Sequence, residues 1–322
     1  MTKNKKGLEM SFGWIFAVIV GAAIIFLAIY AAVKFVGVGR ETVNTESAKQ
    51  LEVLLTPIET GIEEGKVVPP ISFPTESRIY NNCTLRGNFG EQRIAVATSS
   101  SIGGKWTEPG LPVVMYDKYI FSERVIQGKE VNVFQKSFFM PFKIASLVFL
   151  WTDKYCFISA PNEIKEEVKT LGLRNIDVNE SIMSLTDCKK GSKTVCFYSE
   201  LSGCDIIVYP DQKSVAKKGK TPVYYEGSLL YGAIFSEPEI YNCEVGRLMK
   251  RASALSAVYL AKSMRISAES GGCSSNLQGV LISYANAALQ ANSSLDLGRI
   301  SFVSEGLESK NKQMTNCKLW ED

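Results

Sequence analysis

The sequence predicts an α+β protein: an N-terminal transmembrane helix, a β-rich exported domain and a C-terminal antiparallel helical region. Three observations predict it. Met10–Val33 carries no charged residue, and all eight cysteines lie beyond it. The apolar pattern then changes from alternation to helical spacing after Pro238. The segments read as 1–37, cytoplasmic tip and anchor; 38–66, amphipathic stalk helix with a proline kink; 67–237, exported β-rich domain; and 238–322, helical region. The 322 residues hold 36 Lys+Arg, 33 Asp+Glu and no histidine. Without histidine there is no Ser-His-Asp or Cys-His nucleophile pair, and no His-ligated zinc, haem or iron. The net charge of +3 is too balanced for a nucleic-acid partner.

The anchor comes first. Its 24 residues make about 36 Å of helix, against a hydrocarbon layer of about 30 Å. A cleaved signal has an apolar region of only about 7–15 residues, so an uncleaved signal anchor is expected, with the bilayer as partner of residues 10–33. Trp14 and Tyr30 fall near its ends, where amphipathic rings prefer to lie. Lys3, Lys5 and Lys6 precede it; Lys34 and Arg40 follow, with Glu41 and Glu46 close behind. The positive-inside rule therefore puts the N-terminus in the cytoplasm and the body outside. The cysteines agree. Cys83, Cys156, Cys188, Cys196, Cys204, Cys243, Cys273 and Cys317 are even in number and confined to the exported part, which reads as disulfides. No C-x-x-C pair exists, so no metal site is expected. Asn82, Asn179 and Asn292 open N-x-S/T triplets, glycosylation acceptors where the machinery exists.

Lys5-Lys6-Gly7, then Leu8-Glu9 and the apolar run, resembles the start of archaeal type IV pilin-like proteins with a class III signal. The resemblance implies cleavage between Gly7 and Leu8, with Glu9 serving assembly into a filament. Glu9 is the second residue after that cut, whereas the family's glutamate stands further in. The body resembles single-span archaeal surface proteins.

After the anchor, Leu51, Leu54, Leu55, Ile58 and Ile62 follow helical spacing. Thr56-Pro57-Ile58-Glu59 has the form of a capping box, which predicts a break and a short second helix to Glu64, ended by Gly65. The stripe is too short for a sustained heptad, so it is expected to lie on its own domain rather than on a neighbour. Val67-Val68-Pro69-Pro70 marks a boundary. Gln92–Ser99 alternates as a half-buried strand. Val125–Phe134 reads as a hairpin about Gly128-Lys129, and Lys143–Thr152 with Tyr155–Ile158 as another about Asp153-Lys154. Pro161–Leu171 reads as a helix closed by Gly172. Thr194–Tyr198, Cys204–Tyr209 and Ser228–Phe235 read as strands.

Three helical stripes follow: Val245, Leu248, Ala252, Leu255 and Tyr259; Leu277, Leu281, Tyr284 and Ala288; Leu297, Ile300, Val303 and Leu307. Gly271-Gly272 and Asn292-Ser293-Ser294 separate them. Short links favour antiparallel neighbours, which brings Cys273 to Cys317 and leaves Cys243 to pair into the strand region.

Chemistry-bearing motifs are weak. Lys217-Lys218-Gly219-Lys220-Thr221 ends like a phosphate loop but lacks its leading glycine. Ser214-Val215-Ala216-Lys217 fits S-x-x-K without its partner motifs. Gly37-Val38-Gly39 is no dinucleotide fingerprint. Glu163, Glu166 and Glu167 read as a solvated helix face. Lys189–Lys220 holds seven lysines against three acidic residues, which suits soluble hairpin loops better than an acidic polymer or headgroups. No catalytic, cofactor-binding or metal residue is assigned and no cofactor is expected. The expected function is structural or binding, at the cell envelope, with a membrane or surface protein as partner. The alternatives are a pilin-like filament subunit and a membrane-anchored hydrolase working without histidine.

Overall fold

The computed structural model describes residues 12–61, 69–99, 106–179, 181–198, 203–269, 276–314 and 317–321. The fold is α+β and opens on one helix, α1, Phe12–Gly61. Its two parts meet different surroundings. No residue of Gly13–Ala32 is buried. Further on, Asn44, Ala48, Leu51 and Leu55 are buried, at spacings that make one stripe. That stripe packs on the first sheet beside Ile79, Ile94, Val96 and Val148. Leu54, assigned to the same stripe from sequence, is exposed because it falls off the Leu51–Leu55 row. The break expected at Pro57 is also absent, since the helix continues to Gly61. Pro57 stands inside the helix, four residues before Gly61, and removes the backbone hydrogen bond to the carbonyl of Val53. Glu64, Gly65 and the Val67-Val68 boundary lie outside the described residues.

The first sheet contains β1 (Ile71–Thr84), β2 (Glu91–Thr98), β3 (Val113–Met115), β4 (Tyr119–Phe121), β5 (Val125–Phe139) and β6 (Lys143–Trp151), in the order β3-β2-β1-β5-β6-β4. Only β4 runs parallel to its neighbour, β6. The β6 sequence is almost continuously apolar because both faces are covered. Leu147, Phe149 and Trp151 enter the main core, whereas Val148 and Leu150 face the α1 side. The hairpin expected at Gly128-Lys129 does not form; β5 runs straight through it. Gly128 pairs with Ser77, beside a register shift in β1. A β-carbon there would lie 3.3 Å from Glu130 O and from Thr152 Cγ2, so the glycine serves close approach rather than a turn.

The second sheet contains β7 (Tyr155–Ile158), β8 (Ile176–Asp177), β9 (Lys193–Phe197), β10 (Ile206–Tyr209), β11 (Ser214–Lys217) and β12 (Val223–Tyr224), in the order β12-β11-β10-β9-β7-β8. Strands β8, β7, β9 and β10 are parallel, and β11 and β12 are added antiparallel. The β6–β7 hairpin expected from sequence is thus a crossing between sheets. Both edges of β6 are already taken by β5 and β4. Helix α2 (Asn162–Thr170) follows β7, and Gly172 takes the left-handed conformation beyond it, at φ 55°.

The run expected as a strand at Ser228–Phe235 is helix α3, Leu229–Phe235. A short run buried on every side lacks the periodicity that separates strand from helix. Gly232 lets α3 press on β4, because a β-carbon there would lie 2.6 Å from the Phe121 ring. Helices α4 (Pro238–Glu269), α5 (Gln278–Leu289) and α6 (Leu297–Gln313) complete the chain. The three stripes, led by Leu248, Leu281 and Ile300, join the two sheets in one core.

The alternation of the second sheet explains two disulfides. Tyr155, Phe157, Val195 and Phe197 face the main core, while Cys156, Ile158 and Cys196 face the other way. That second face is closed by the Cys156–Cys188 and Cys196–Cys204 bridges, together with Ile182 and Leu185. A third bridge, Cys83–Cys243, ties β1 to α4. Cys317 is disulfide-bonded as well. Cys273, Gly7, Leu8 and Glu9 lie outside the described residues.

Candidate binding cleft at the ends of the parallel strands

The order of the second sheet creates a crevice. From β7 the chain passes through α2 to β8 on one side, then returns to β9 on the other side of β7. The connections leaving β7 and β9 therefore diverge at their carboxyl ends, the place where open α/β sheets bind ligands. A cleft of about 730 Å³ lies there. Its floor and walls come from Pro161, Asn162, Glu163, Ile164 and Glu167 of the α2 segment, Phe197 and Tyr198 at the end of β9, and Val208 and Pro210 around the end of β10. Tyr225, Gly227, Leu230 and Tyr231 close it from the α3 side, and Lys136 reaches it from β5.

The backbone is strained at both divergent connections. Ser159, directly after β7, has φ 53°, and Tyr198, directly after β9, has φ 57°. A non-glycine residue held there costs on the order of 1–3 kcal/mol, and such strain clusters at functional sites. Tyr198 is 57% exposed where it lines the cleft.

Three polar groups inside are already organised. Lys136 Nζ pairs with Glu167 Oε1, and the Tyr231 hydroxyl donates to Glu167 Oε2. The Lys136 ammonium also stands 5.5 Å from the centre of the Tyr231 ring. Burial, then the Glu167 charge, pushes the Tyr231 hydroxyl far above its ordinary range. Tyr225 is pushed up to about 12, by burial first and then by Tyr198, Glu226 and Asp211. These phenols stay protonated at neutral pH and can donate hydrogen bonds.

The residues singled out from sequence are placed as follows. Glu163 and Glu167 line the cleft, whereas Glu166 is exposed and pairs with Lys169 at 3.5 Å. Ser214 and Lys217 lie on strand β11, not on a helix. Three residues apart on a strand, they face opposite sides, so they cannot work as a nucleophile and its base. Lys217 Nζ instead donates to the carbonyls of Ile234, at 2.7 Å, and Ser236. Burial pushes it down to about 7. Gly219 turns the chain from β11 into β12, so no helix follows to hold a phosphate. The lysine-rich stretch is largely neutralised from outside itself. Lys189 meets Asp177 at 3.0 Å, Lys193 meets Asp153 at 2.7 Å and also Glu123, and Lys213 meets Glu226 at 2.7 Å.

Of the acceptor asparagines, Asn82 is exposed on β1, and Asn179 is exposed with its Oδ1 accepting from the Ser181 hydroxyl at 2.6 Å. Asn292 is exposed too, but Ser294 of its triplet is buried, with its hydroxyl accepting from Tyr224 N at 3.1 Å.

Sequence reasoning missed Lys136, Tyr198, Tyr225 and Tyr231 as one site, because they come from separate segments with no common spacing. The available signal was indirect. An apolar strand, Tyr155–Ile158, runs straight into a helix, and that pattern starts a parallel βαβ unit. Among the described residues no cluster of three or more Cys, Asp or Glu could hold a metal ion. Comparison with protein-family models, with curated proteins and with solved structures finds no match to this chain.

Proposed function

We infer that the protein is a single-pass, signal-anchored receptor of the cell envelope, with its N-terminus cytoplasmic and its disulfide-stapled body outside. Its role is binding rather than catalysis, through the cleft at the ends of β7, β9 and β10. One observation carries the reading: the apolar, wholly unburied Gly13–Ala32 helix runs without a break into a body holding three described disulfides. An exposed apolar helix of this length needs a bilayer or another apolar surface. Disulfides persist in oxidising compartments, which supports an extracytoplasmic body.

A pilin-like filament subunit is the second reading. It is favoured by the same unpartnered half-helix, which copies of the chain could bury against one another.

Alkaline extraction of the membrane fraction separates these from a soluble protein. The full chain should stay with the lipid and carry its intact N-terminus, while deletion of residues 13–32 should release a folded body. Release of the full chain into the wash would contradict anchoring. A mature chain starting at Leu8 would move the account to the pilin reading.

A further inference from the structure

The cleft offers little net charge. Lys136 and Glu167 neutralise each other. Glu163 stands in the first turn of α2, where the positive end of the helix dipole offsets it. What remains for recognition is flat aromatic surface beside hydrogen-bonding heads. Tyr198 presents an exposed ring at the mouth, and Asn162 and Glu163 are exposed on the facing α2 segment. Lys136 gives one of its three donors to Glu167 and keeps two. The Lys136 ammonium and the polar heads of Asn162 and Glu163 thus accompany one exposed ring, that of Tyr198, in the same cleft. That surface complements a molecule with apolar C–H faces and hydroxyl edges. The volume, about 730 Å³, falls in the range of about 300–1,000 Å³ typical of small-molecule sites and accommodates a few sugar rings.

Resting on the binding reading above, we propose that the cleft takes a neutral saccharide segment. Tyr198 stacks on one sugar ring, and Asn162, Glu163 and Lys136 hold its hydroxyls.

The test is titration calorimetry of the full chain in nanodiscs, free of sugar-headed detergent. The probes are maltohexaose, cellohexaose and chitohexaose, with pentalysine as a charged comparator. At least one hexasaccharide should bind. Tyr198→Ala should weaken it about tenfold, the size expected for one aromatic contact. Tyr116→Ala, an exposed tyrosine between β3 and β4, should leave binding unchanged. Binding of no saccharide, or binding indifferent to Tyr198→Ala, overturns the proposal. If only pentalysine binds, and Tyr198→Ala abolishes it, the saccharide class is wrong while the cleft remains a binding site. Silence from all four probes counts against both.

Discussion

Arg247→Met is expected to lower the stability of the folded chain by about 3–5 kcal/mol, the scale for breaking a buried ion pair from one side. Arg247 is fully buried on α4. Its Nη1 pairs with Glu244 Oε2 at 2.8 Å and donates to Lys118 O at 2.7 Å. Its Nη2 donates to Tyr116 O at 3.0 Å, and its Nε to Phe89 O at 3.3 Å. One side chain thus satisfies the carbonyls of the loops around β2, β3 and β4 and fixes α4 to the first sheet. Gly90, left-handed at φ 67°, lets the arginine stem pass, because a β-carbon there would lie 2.7 Å from Arg247 Cγ. Methionine would keep the bulk and leave Glu244 and these carbonyls without their donor.

Glu244 gives the prediction a pH signature. Burial pushes its carboxyl up to about 7 from an ordinary 4.5, against the pull of Arg247. The folded chain holds that proton more tightly than the unfolded one. The stability it contributes is therefore whole below 4.5 and is lost as pH rises through about 7. Unfolding followed by tryptophan fluorescence should show Arg247→Met costing more at alkaline pH than at acid pH. The double variant Glu244→Gln/Arg247→Met should recover part of the loss, since it removes the stranded charge. Equal stability of the single and double variants would show that the pair does not act as described.

Replacing Cys83 and Cys243 together by alanine is the second large effect. The bridge spans a sequence separation of 160, for which chain entropy alone gives about 5 kcal/mol. Cys196–Cys204 spans a separation of 8, for which the same relation gives about 2.5 kcal/mol. Thermal unfolding should rank the two double variants in that order. The reason is also structural: β1 lies at the heart of the first sheet and α4 runs through the main core, so the bridge joins elements far apart in the chain. A larger loss from Cys196/Cys204 than from Cys83/Cys243 would contradict the role assigned to the long bridge.

How much of this was legible depends on the range of the interaction. The apolar half of α1, helix α2 and the stripes of α4, α5 and α6 are local patterns, and sequence reading places them well. The errors share one cause, which is tertiary context overriding a local signal. Gly128 looks like a turn but answers the close approach of Thr152. Tyr155–Ile158 looks like the return arm of a hairpin, yet its neighbours are β8 and β9, because β6 has no free edge. Leu229–Phe235 is too uniformly apolar for period to decide between helix and strand. The cleft was hidden for the same reason: its Lys, Glu and Tyr residues come from β5 of the first sheet, from α2, from the end of β9 and from the α3 segment, and meet only in the packed fold. Arg247 carries no sequence mark either, since its partners are mostly backbone carbonyls.

The missing histidine constrains any pH response near neutrality, and two buried groups fill that role. Lys217 has the opposite sign to Glu244. Pushed down from 10.5 to about 7 by burial, it contributes stability that is whole above 10.5 and lost as pH falls through about 7.

The most direct test of the account is protease added to intact cells expressing the full chain, tagged at both ends. If the anchor and orientation are right, the C-terminal tag disappears while the tag beside Lys3, Lys5 and Lys6 survives until the membrane is opened. A C-terminal tag protected in intact cells, with the N-terminal tag cut, would contradict the account.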